Sequence, residues 1–190
     1  MDPGHLQGRL LVANPRMADP NFDRTVVLVL AHGEDGALGV ILNRPLDTGL
    51  AEALPGWEAV ASPPSLLFSG GPVEPAAAIC LARRTSARFP AGDGGEWWKP
   101  VSGTVGTLDL DTGPQAAGAG VDGLRVFAGY AGWAPSQLEA ELEAGGWFVV
   151  DASEGDAFYP HPELLWKVVL RRQRGTLRLL SAYPADPAMN

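Results

Sequence analysis

Two short segments carry the residue types best suited to holding a ligand. In Asn43-Arg44-Pro45 the guanidinium is charged at any physiological pH. The proline biases Arg44 toward an extended backbone at a strand end, which aims the side chain away from the sheet edge. In Gly70-Gly71-Pro72 the paired glycines permit backbone angles that point successive amides at one acceptor, an anion-binding nest. Each segment also reads as a plain turn. Their occurrence together at strand ends makes Asn43, Arg44, Gly70 and Gly71 candidate ligand-binding residues for a small anion, with His32, at the end of another strand, a candidate acid or base. The expected geometry is an Arg44 guanidinium exposed in a cleft near the Gly70 turn. The competing expectation is an ion pair with Asp23 or Asp47 that clamps a loop.

Other patterns lose their chemistry on inspection. Gly118-Ala119-Gly120-Val121-Asp122-Gly123 matches G-x-G-x-x-G, but a dinucleotide fingerprint follows a strand and opens a helix. Here the match opens a strand and reads as a flexible connection. Glu139 and Glu143 share a helix face, yet a capping box formed with Ser136 accounts for Glu139, and Glu141 with Glu143 reads as a solvated face. Arg171, Arg172 and Arg174 suit the carbonyl end of a helix. Cys80 sits in the apolar run Ala76–Ala82 and reads as an inert core thiol. His5, His32 and His161 lack partners at metal-ligand spacing, so neither a metal nor a cofactor is expected.

The elements that position these residues follow from apolar periodicity and turn signals. Strands are expected at Arg9–Ala13, Thr25–Ala31, Ala37–Leu42, Ser65–Ser69, Ala76–Ala82, Val101–Leu110, Leu124–Tyr130 and Trp147–Asp151. The unbroken Val/Leu run of the second implies burial on both faces, and Asp35-Gly36 makes a hairpin with the third. Short helices are expected from an Asp47 N-cap through Leu54, and from the Ser136 capping box to Gly145. A final helix opens at Pro162 and buries Leu164, Leu165, Val168 and Val169. Arg83 to Pro100 and Asp111 to Gly123 read as irregular. Early strands and late helices give an α+β class with a mixed sheet.

The 190 residues match one domain, with a core from about residue 8 to 175 and less certain termini, and no linker is visible. A net charge of −8 has the wrong sign for a protein drawing its affinity from DNA phosphates or an anionic membrane. A strand, not a second helix, follows the helix at Ser136, so no helix-turn-helix is present and no direct specific DNA binding is expected. The amino terminus has neither a basic n-region nor an apolar h-region, and a cytoplasmic location without membrane contact is expected.

Several segments resemble the YqgE/AlgH family of bacterial proteins: Gly8–Pro15, Asp19–Val27, Gly36–Leu46, Ser69–Val73, and Gly129–Trp133 with Gln137-Leu138-Glu139. The resemblance implies an α+β fold with a bent, partly barrel-like sheet, in a family whose members are labelled transcriptional regulators. Its motif positions include Asn43, Arg44, Gly70, Gly71 and Pro72. The resulting expectation is a non-enzymatic regulatory or ligand-responsive domain that works with a protein partner or a small anionic ligand. The alternative is a cofactor-independent enzyme acting on a small anionic substrate.

Overall fold

The computed structural model describes residues 5–17, 19–85, 97–118 and 120–184. Its centre is a ten-stranded sheet that curls into a half-barrel. The strands are β1 (Arg9–Ala13), β2 (Val26–Gly33), β3 (Gly36–Ile41), β4 (Pro45–Gly49), β5 (Leu66–Ser69), β6 (Val73–Arg84), β7 (Trp98–Ser102), β8 (Val105–Leu108), β9 (Val121–Trp133) and β10 (Trp147–Asp151). The helices are α1 (Leu50–Ala53), α2 (Pro114–Gly118), α3 (Gln137–Glu143), α4 (Leu165–Arg171) and α5 (Thr176–Leu180). The strand order is β10-β1-β2-β3-β9-β6-β8-β7, with β4 paired to β5 and β5 running parallel to β9. This is the α+β class with a mixed sheet expected from the sequence. Among the described residues no helix is long and apolar enough to cross a membrane.

The long strand β9 joins the two halves of the sheet. Up to Ala128 it pairs with β5 and β6, with one more β6 pair at Tyr130, and from Ala131 to Trp133 it pairs with β3. Gly129 lies at the corner with φ of 69°, a left-handed conformation that few side chains tolerate. Gly70 and Gly71 press against this corner: a Cβ on Gly70 would overlap the Gly129 carbonyl oxygen, and one on Gly71 would overlap the Tyr130 backbone. The glycine pair thus allows its own main chain and that of β9 to approach closely.

Strand β2 is buried on both faces, as its unbroken apolar run implies. Val26, Leu28 and Leu30 face the principal core, where Leu165, Trp166, Val169 and Leu170 of α4 fill the sheet. Each such side chain contributes about 1.5–3 kcal/mol on burial, and the Trp166 indole N–H also donates to the Ala13 carbonyl at 2.9 Å. Val27 and Val29 face a second cluster with Leu138 of α3, Trp133 and Trp147. The α4 face is turned from the expected one, leaving Leu164 exposed, because Pro162–Leu164 forms a 3₁₀ turn of tighter pitch before the α-helix begins.

Other expectations need correction. Asp47 is no N-cap: it lies in β4, and Gly49 precedes α1 without a side-chain cap. The irregular segment Asp111–Gly123 holds α2, and the expected single strand Val101–Leu110 divides between β7 and β8. Of Arg83–Pro100, the ends belong to β6 and β7, and residues 86–96 lie outside the described residues. Ser136 adopts φ of 63° and its hydroxyl makes no cap bond, so the capping box is absent. Arg172 serves more than a helix dipole: it makes a two-pronged ion pair with the buried Asp156, both contacts at 2.6 Å.

Candidate functional site

A cleft of about 310 Å³ opens between α3 and the loop that follows β1. Its walls are Phe22 and Trp133, its polar lining is Asp19, Gln137 and Glu141, and Met17 lies at one side. The sequence builds it from two directions. Trp133 ends β9 and Trp147 opens β10, and the short α3 between them carries Glu141 back toward both rings. A buried indole N–H needs an acceptor, and one carboxylate oxygen serves both: Trp133 Nε1 donates to Glu141 Oε2 at 3.0 Å and Trp147 Nε1 at 2.8 Å. The other oxygen accepts from Gln137 Nε2 at 3.0 Å. Phe22 packs on the same rings, its centroid 6.2 Å from Trp133 and 5.3 Å from Trp147.

Of the residues singled out in the sequence, Asn43 and Arg44 brace the loop at one side of this cleft. Asn43 is buried, with its Oδ1 accepting from the Val26 amide and its Nδ2 donating to the Arg24 carbonyl, both at 2.9 Å. The half-buried Arg44 donates to the Asp23 carbonyl. Burial lowers its pKa from the ordinary arginine value, and the neighbouring Asp23 charge opposes that shift. Together they fasten residues 23–26 to the exit of β3. Within that loop the Phe22 amide donates to the Asp19 carbonyl, and Thr25 Oγ1 donates to the Phe22 carbonyl at 2.9 Å. The turn that presents Phe22 and Asp19 is therefore held from behind by Asn43 and Arg44.

Gly70 does lie beside Arg44 along the main chain, since the Ser69 amide donates to the Arg44 carbonyl and the Ile41 amide to the Gly70 carbonyl, both at 2.8 Å. The Gly70 amide itself donates to the Ala128 carbonyl at 2.8 Å. His32 stands elsewhere, at the opposite end of β3, a strand whose six residues span roughly 17 Å at about 3.3 Å each. The Leu6 amide donates to its Nδ1 at 3.3 Å, which assigns the proton to Nε2, where it is donated to Glu139 Oε1 at 2.7 Å. Glu139's own backbone amide, then the His32 bond, hold the Glu139 carboxyl below its ordinary pKa. This contact fastens α3 to the end of β2.

Two residues of consequence escaped the sequence reading. Glu141, taken there as solvated, is the acceptor of both indoles. Its signal was two tryptophans flanking one short helix. Arg125 lies within the apolar stretch Leu124–Phe127 and is almost wholly buried, donating to the carbonyls of Ala157, Pro63 and Tyr159 and standing 4.3 Å over the Phe68 ring. Burial pushes its pKa down to about 10, which still leaves it charged at neutral pH. Cys80 is buried in β6, and burial pushes its thiol pKa up. Among the described residues no group of three or more His, Cys, Asp or Glu could hold a metal ion.

These features sit in a fold with known relatives. The DUF179 family model, described as AlgH-like, matches residues 10–178. A UPF0301 protein of Streptomyces coelicolor is 48% identical over 189 residues, covering 97% of this chain and 95% of its own length. Another from Thermobifida fusca is 43% identical over 199 residues, covering 100% and 98%. A Corynebacterium diphtheriae protein solved by X-ray crystallography superposes with a TM-score of 0.88 at 31% identity, covering 96% of this chain and 94% of that one. The solution structure of the AlgH protein from Pseudomonas aeruginosa gives 0.68, also at 31% identity, with 98% of both chains covered. Sequence, segment order and fold agree, and the chain belongs to the AlgH-like family.

Proposed function

We propose that this protein is a cytoplasmic ligand-responsive regulatory domain that acts through another protein, with the cleft between α3 and the Asp19–Arg24 loop as its ligand seat. The observation that carries this reading is the cleft's construction: aromatic walls and a carboxylate fixed by three donors, a preorganised surface for a small molecule. The groups best suited to acid–base or covalent chemistry are engaged elsewhere. Both His32 nitrogens have partners, and the Cys80 thiol is buried. The enzyme alternative rests on Arg44, but the Gly70 amide that would share an anion with it is bonded to Ala128. A strand, β10, follows α3, so that helix opens no helix-turn-helix for direct DNA reading.

Thermal unfolding with a panel of neutral, anionic and cationic metabolites tests the reading. A ligand of the native state at about 100 times its Kd stabilises by about 2.7 kcal/mol, which for a chain of this size raises Tm by about 5–11 °C. Turnover of a compound by the cofactor-free protein would overturn it. So would sequence-selective DNA retardation by the protein alone at about 150 mM salt.

A further inference from the structure

The charge and lining of the cleft point to one class of ligand, and this inference rests on the reading of the cleft as a ligand seat. Among the described residues Glu141 and Asp19 are its two ionisable lining groups, both acids, and no lysine or arginine lines it. The three donors to Glu141 are neutral, two indoles and an amide, so they orient the carboxylate without cancelling its charge. Asp19 Oδ1 accepts a neutral backbone amide, that of Asn21, at 2.9 Å. The walls supply aromatic rings, and a ring presents negative charge on its face. Elsewhere this chain covers such faces with its own arginines: Arg24 stands over Trp166, Arg83 over Phe158, Arg84 over Trp98 and Arg125 over Phe68. Among these described pairs none uses Phe22 or Trp133, which stack on one another and offer the cleft the parts of their rings left outside that stack.

An anionic ligand would meet two carboxylates here, and a hard metal ion would find too few oxygens, its neighbours being rings, a thioether and one amide. An organic cation satisfies both features at once, with its charge against Glu141 and Asp19 and its carbon substituents against Phe22 and Trp133. We infer that the cleft binds a small organic ammonium ion. At about 310 Å³ it lies near the lower end of ligand-pocket volumes, which limits the ligand to a small molecule.

Calorimetric titration of the full-length protein with choline and with butylammonium tests this, using 3,3-dimethylbutan-1-ol as the uncharged counterpart of choline. Expected is saturable binding of at least one cation at concentrations up to about 10 mM, with the uncharged alcohol at least about tenfold weaker. Asp19→Asn removes a charge and retains an acceptor for the Asn21 amide, so affinity should fall about fivefold with Tm unchanged. Glu141→Gln should lose more, and it also lowers Tm: with its oxygen kept on both indoles, the new NH2 faces the Gln137 Nε2 donor, which loses its acceptor. Equal binding of the alcohol, or unchanged affinity in Asp19→Asn, overturns the cation inference and leaves the cleft as a ligand seat. If neither cation binds while a neutral or anionic metabolite raises Tm, the cation inference fails alone. If no compound of any class raises Tm, the ligand-responsive reading fails with it.

Discussion

Replacing Asn43 with alanine separates a positioning role from direct ligand contact. The side chain is buried and makes two bonds to the backbone, one with the amide of Val26 and one with the carbonyl of Arg24. Val26 is itself fully buried, so its freed amide has no route to water. Leaving a buried donor unsatisfied costs about 1–3 kcal/mol, and the vacated volume adds to that. About 3 kcal/mol follows, or a fall in Tm of about 6–12 °C at this chain length. The same loss loosens the loop that carries Phe22, so the packing of Phe22 on Trp133 and Trp147 should weaken before the fold does. Thermal unfolding followed by far-UV and near-UV circular dichroism reads both effects, with near-UV aromatic signal lost at the lower temperature. A Tm within about 2 °C of the parent, with the aromatic signal intact, would refute the assignment of Asn43 as a clamp.

Three other perturbations address the supports of the cleft. Gly70→Ala places a Cβ on the Gly129 carbonyl, a backbone atom that cannot swing aside, and is expected to destabilise by more than the usual ~1 kcal/mol of a point substitution; urea unfolding checks this, and a cost under ~0.5 kcal/mol contradicts the packed corner. Ser136→Ala should lie within about 0.5 kcal/mol of the parent, because its hydroxyl caps nothing; a loss near the ~1 kcal/mol of a true N-cap would restore the capping box. Glu139 has a folded pKa below its unfolded value, so its contribution is fully present above the unfolded pKa and disappears as pH falls through the folded one. Glu139→Gln should therefore flatten the acid limb of the stability profile below about pH 5, and an unchanged limb would show that neither the Glu139 backbone amide nor the His32 contact carries linkage.

The parts of the fold legible in the sequence were those fixed by local pattern. Arg9–Ala13 and Trp147–Asp151 match β1 and β10, because unbroken apolar runs between turn residues leave little choice of element. The hairpin of β2 and β3 follows from Asp35-Gly36. Strand β4 was hidden because Pro45 and Asp47 are poor strand residues, and only its pairing with β5 holds them extended. Ser136 has a cap's neighbours in sequence but a left-handed backbone in space. What the structure describes of the residues picked out for anion binding is bonding to the main chain. Asn43, Arg44 and Gly70 do lie at neighbouring strand ends, yet their polar atoms bond to backbone. Glu141 looked like a surface acid because its donors lie six and eight positions away, across the ends of two strands.

Indole resonances offer the most direct measurement of whether the cleft is where a ligand is seated. The chain has six tryptophans, so a ¹H–¹⁵N correlation spectrum carries six indole signals, assignable by single Trp→Phe variants. Titrating the compound that most raises Tm should shift the Trp133 and Trp147 signals saturably, since both N–H groups point at Glu141 in the cleft. The Trp57 and Trp98 signals, from the separate cluster under α1 and α2, should stay in place. Saturable shifts confined to the amides of Arg44, Gly70 and Gly71, with both cleft indoles unmoved, would contradict the account and move the ligand to the exit of β3.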